Sequence, residues 1–122
     1  MGGHLVTQKN KKLDIILETA DDKKAFDIEA LDISKLTTIT DYFVICSGNN
    51  ERQVAGISDA IEDKMHEKGY ELKHKEGNKS NRWVLLDFGD VVVHIFHKED
   101  REFYSLERLW VDADKVDVDK YL

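Results

Sequence analysis

With 122 residues and a mass of 14.1 kDa, the chain is sized for one domain with one core. Its 41% hydrophobic and 35% charged residues exclude a disordered chain, and the single cysteine, Cys46, excludes an internal disulfide and fits a reducing compartment. A formal net charge of −7 makes it a poor general binder of nucleic-acid backbones and an easier partner for a basic protein.

From the N-terminus, Met1–Val6 lacks the apolar core of a signal peptide, and Val6 stands where a myristoylation motif needs Ser or Thr. Gly2-Gly3-His4 reads equally as an added leader. Nowhere does an apolar run approach the ~20 residues of a membrane span, so the expectation is a cytoplasmic protein with no membrane partner. Leu13, Ile16, Leu17 and Ala20 form one face of a helix over Lys11–Lys24. Asp27–Ile33 reads as a strand whose apolar set slips from Ile28/Ala30 to Leu31/Ile33, which predicts a bulge or burial on both faces. Tyr42–Cys46 is a second strand of β-branched and aromatic residues.

After Ser47-Gly48-Asn49, Asn50 caps a long helix, with Gln53 completing a capping-box pattern. Val54, Ile57, Ile61 and Met65 supply its core stripe, and Gly69 its stop. Tyr70–His74 alternates as a strand with one wet face. Two apolar runs, Trp83–Leu86 and Val91–Phe96, then flank Asp87-Phe88-Gly89-Asp90 and predict a hairpin. Both runs are too uniformly apolar for an edge, so the hairpin belongs inside a covered sheet. Glu99–Trp110 carries Phe103, Leu106 and Trp110 at helical spacing, and Asp112–Asp119 is an acidic fringe. The fold class is α/β (α+β): a mixed sheet of about five strands flanked by helices.

The chemistry-bearing residues form no catalytic set. His94 and His97 lie three apart on a strand, hence on opposite faces, and His94 with Asp87 makes only two ligands. Cys46 ends an apolar strand with no nameable base, so a buried inert thiol is the ordinary reading. The Ser47–Asn50 turn has one glycine and no Walker lysine. It is similar to the Gly-Ser turn of nucleotidyltransferases. Those enzymes need carboxylates alternating on a core strand, and the Asp-x-Asp pairs here, Asp112/Asp114 and Asp117/Asp119, lie in the polar tail. The expectation is no enzyme, no metal and no cofactor.

Several ordered blocks carry a resemblance. Asp41–Asn49, Arg52-Gln53-Val54, Glu76-Gly77, Trp83–Asp87, Gly89–Phe96 and Leu106-Glu107-x-Leu109-Trp110 resemble the ribosomal silencing factor family, also called Iojap-like. The likeness runs over nearly the whole chain, with Asn50 where the family often has Ser; both can cap a helix. It implies a nucleotidyltransferase-like topology without the active site. It also implies binding to protein number fourteen of the large ribosomal subunit, so that the bound factor sterically blocks subunit joining and represses translation in starvation or stationary phase. The organisation expected is a flexible N-terminus at 1–10, a single Iojap-like domain over 11–111, and an acidic C-terminal tail at 112–122. Contacts to the ribosomal protein are expected from Glu76, Arg82, Trp83, Asp87, Asp90, His94, Tyr104, Glu107 and Trp110. Direct sequence-specific nucleic-acid binding is not expected, and homodimerisation through an open sheet edge is left open.

Overall fold

A computed structural model describes residues 11–77 and 82–101 in full, the backbone of 102–104, and residues 113–122. Helix α1 (Lys11–Asp22) turns Leu13, Ile16, Leu17 and Ala20 inward, as its apolar spacing predicts. It stops short of Lys24 because that residue adopts φ +64°. The Lys24 and Ala25 amides then close back onto the Asp21 and Ala20 carbonyls, a Schellman-type end. Strand β1 (Phe26–Asp32) carries the expected bulge, with its register against β2 slipping between Phe26 and Glu29.

Strand β2 (Tyr42–Gly48) runs two residues beyond the predicted end and feeds α2 (Glu51–Glu67). The Asn50 side chain accepts from the Gln53 amide, while Gln53 Oε1 accepts from the Asn49 amide at 2.6 Å rather than from Asn50. Gln53 Nε2 also donates to the Lys23 and Lys24 carbonyls, so one side chain seals the start of α2 and the end of α1. Gly69 takes φ +87° just past the helix end.

Strand β3 is His74–Gly77, not the expected Tyr70–His74. The correction follows from register: β4 (Trp83–Asp87) ends opposite His74, so residues 70–72 have no ladder partner. Tyr70 and Leu72 pack on the core instead. Strands β4 and β5 (Val91–His97) form the predicted hairpin, registered Trp83↔Phe96 to Asp87↔Val92, with Gly89 at φ +96° in the turn. Helix α3 follows at Lys98–Tyr104. The rest of the predicted Glu99–Trp110 helix lies outside the described residues.

The sheet order is β3-β4-β5-β2-β1-β6, with β2 and β5 parallel and the other pairs antiparallel. The hairpin is thus internal, as its apolar runs require. The mixed sheet flanked by helices is as expected, and its sixth strand, beyond the about five foreseen, is β6 (Asp114–Lys115). It forms because residues of the presumed acidic fringe pack inward: Ala113, Val116, Val118 and Tyr121 lie against the core, and the Val116 amide donates to Ala30. One face of the sheet, with Val44, Cys46, Val84, Leu86, Val93 and Ile95, buries α1 and α2. The opposite face holds a smaller cluster of Leu31, Ile33, Ile45 and Phe96, with Phe43 and Trp83 against it.

Candidate functional site

The second sheet face is covered unevenly. Arg101 of α3 donates to the Asp27 carbonyl and to Ser47 Oγ, and its Nη2 lies 3.6 Å from Glu29, which fastens α3 over the β1/β2 side. On the β3/β4 side, His74 and Glu76 are exposed, and Trp83, Leu85 and Asp87 are partly exposed. Alternation places these five on one face, and the register sets Glu76 beside Leu85 and His74 beside Asp87. An aromatic and a leucine with a polar rim is the composition of a protein-docking patch.

Trp83 sits on a stack of rings. Its Nε1 donates to His94 Nδ1 at 3.2 Å, and its ring lies 6.5 Å from that of Phe96. His94 is 6% exposed, edge-on to Phe43 and stacked nearly parallel to Phe96. It therefore lies beneath the surface, acting on Trp83 rather than offering a side chain to solvent.

Burial pulls the His94 pKa down from 6.5 to about 4. The facing side chains, Phe43, Ile45, Trp83 and Leu85, carry no charge, and Glu29 and Glu76 lie one strand further away. Among the described residues, Asp87, on β4 two residues beyond Leu85, is the remaining carboxylate of this face near it. The unfolded chain takes up this proton first as pH falls, so native stability is lost progressively from about pH 6.5 to about pH 4. Denaturant unfolding across that window measures the loss. His94→Leu removes its share of the slope; an unaltered slope in the variant means another group titrates.

The other predicted residues divide by their local bonds. Asp87 Oδ1 accepts from the Gly89 amide at 2.8 Å, so this carboxylate also closes the hairpin turn. Asp90 lies 2.8 Å from Lys12 Nζ, tying the turn to α1. Arg82 donates to Asp100, Glu51 and Glu99, clamping the start of β4 to α2 and α3. Glu76 stays on the open edge strand, 3.2 Å from His74. The Tyr104 side chain, Glu107 and Trp110 lie outside the described residues.

Sequence reasoning did not single out Leu85 or His74 as contacts. Alternation with Trp83 marks Leu85, whereas His74 becomes a neighbour only through a register that no local pattern encodes. Among the described residues, no group of three or more His, Cys, Asp or Glu could hold a metal ion. Burial pushes the Cys46 thiol up to about 12, far from the thiolate a nucleophile needs. No helix among the described residues is long and apolar enough to cross a membrane.

A family model described as "Ribosomal silencing factor during starvation" matches residues 6–122. The chain is 49% identical over 107 residues to "Ribosomal silencing factor RsfS" of Bacillus subtilis, covering 88% of this chain and 91% of that one. A crystal structure from Bacillus halodurans superposes with a TM-score of 0.78 at 42% identity, covering 88% of this chain and 99% of that one. The mouse "Mitochondrial assembly of ribosomal large subunit protein 1" is 32% identical over 101 residues, covering 80% of this chain but 44% of the mouse protein.

Proposed function

The chain belongs to the ribosomal silencing factor family, and on that premise we propose that it binds the large ribosomal subunit in the cytoplasm and keeps the small subunit from joining. Its contact there is protein number fourteen of the large subunit, and the block is steric. The outcome is repressed translation in starvation or stationary phase. The observation that carries the reading is the open β3/β4 patch: Trp83 and Leu85 between Glu76 and Asp87 on a chain of net charge −7. Acidic rims steer association with basic proteins, and an aromatic inside the rim supplies the anchor. The mouse relative's name, which ties it to large-subunit assembly, points to the same subunit.

The role needs no catalysis. The two carboxylates of the hairpin turn serve local structure, Asp87 toward Gly89 and Asp90 toward Lys12. Magnesium-dependent ATP binding in a calorimetric titration would count against this part of the reading.

Gradient centrifugation with purified subunits tests the whole. The expected result is co-migration with large subunits and fewer joined ribosomes; absence of both sinks the proposal. Asp87→Asn refines it, because the amide oxygen can still accept from the Gly89 amide while the charge is gone. Association should slow severalfold at low salt, with unfolding free energy changed by no more than about 0.5 kcal/mol. Unchanged association kinetics would remove Asp87 from the rim.

A further inference from the structure

The Trp83–His94 pair is an unusual use of a sheet interior. A buried polar group is normally satisfied at every hydrogen-bonding atom, because an unmade bond in a dry site is costly. His94 is satisfied at one. Its Nδ1 accepts from Trp83 Nε1 and is therefore unprotonated. The neutral ring must then carry its proton on Nε2, which is buried and has no hydrogen-bond partner among the described residues. Its ring neighbours are Phe43, Trp83 and Phe96. An apolar residue would suit folding at least as well in such a place.

The one side-chain hydrogen bond that His94 makes among the described residues reaches the indole of the docking patch. Two torsions orient a tryptophan, and a partly exposed one can swing to another rotamer. The bond to Nδ1 holds the indole N–H inward and so fixes which edge of the ring faces outward. An anchor held in one orientation loses less freedom on binding. We propose that His94 is a positioning residue for the partner-binding face, holding Trp83 in its docking orientation without touching the partner. This inference rests on the ribosome-binding reading above.

The test compares His94→Leu with His94→Asn. Asn can place an acceptor oxygen near the position of Nδ1, and Leu cannot. Two readouts are needed: affinity for purified large subunits, and the indole N–H resonance of Trp83 in the free protein. Trp83→Phe assigns that resonance, since the chain has two tryptophans. Expected for His94→Leu are a shifted indole resonance and binding weakened about three- to tenfold, the size of one net hydrogen bond. His94→Asn should restore most of both. In a Trp83→Phe background, His94→Leu should weaken binding no further.

An unmoved indole resonance in His94→Leu overturns the proposal, and so does an equal loss of affinity with or without Trp83, which would make His94 a direct contact. If His94→Leu fails to fold, His94→Phe, which keeps a ring but offers no acceptor, decides by the same resonance: a shift supports the proposal and an unmoved line overturns it. Failure of the wild-type protein to bind large subunits at all would sink the ribosomal reading. The resonance would still decide whether His94 orients Trp83.

Discussion

Trp83→Ala is expected to abolish stable association with the large ribosomal subunit while leaving the domain folded. Among the described residues, Trp83 is the one large aromatic on the open β3/β4 side of the second face, and truncating such an anchor typically costs 2 kcal/mol or more, about thirtyfold in affinity. The fold loses less than from a core truncation, because the indole is only partly buried and packs against the edge of the small Leu31/Ile33/Ile45/Phe96 cluster. Gradient co-sedimentation and denaturant unfolding on the same preparation separate the two effects. Retained co-sedimentation would move the docking surface away from β4. Loss of cooperative unfolding would show that Trp83 is a core residue and its exposure incidental.

Phe88→Ala is expected to do the opposite, with a loss of about 3–5 kcal/mol in unfolding free energy and little change in affinity per folded molecule. Phe88 occupies the hairpin turn, yet it is 0% exposed and belongs to the core beneath α1 and α2. Its amide donates to the Val91 carbonyl, and its own carbonyl accepts from Lys12 Nζ. The ring thus pins the turn from below, while Gly89 at φ +96° lets the chain reverse above it. Truncation leaves a cavity that the packed strands and helices around it can only partly close. A shift in the urea midpoint with an unchanged slope is the expected signature. A loss under about 1 kcal/mol would mean the turn tolerates the cavity by collapsing.

The contrast between these neighbours shows where local pattern suffices. Two short, almost uniformly apolar runs, Trp83–Leu86 and Val91–Phe96, identify two strands, and the intervening Gly89 identifies the turn. The stripe Val54/Ile57/Ile61/Met65 and the Asn50 cap likewise mark α2. These features are written within a few residues of each other, so they survive without tertiary information. Placement of β3 does not: whether 70–74 or 74–77 pairs depends on where β4 ends. Nor does β6, whose Asp114 and Lys115 look like solvated tail until Ala113, Val116 and Val118 find the core.

The candidate site divides along the same line. Trp83, Glu76, Asp87 and Asp90 could be named from composition and family resemblance, but their roles could not. Arg82 and Asp90 turn out to hold elements together through Asp100, Glu51 and Lys12, partners 18 to 78 residues away that no spacing rule connects. By itself, the sequence determined the first two helices, the strands β1, β2, β4 and β5, the internal hairpin, the acidic balance and the family, because these depend on local periodicity, on composition and on ordered motifs. Only the tertiary structure decided which part of the second face stays open and that His94 lies under Trp83 rather than beside it. Those outcomes depend on strand register and on how α3 and the C-terminal residues cover the sheet, which are properties of the packed chain rather than of any segment.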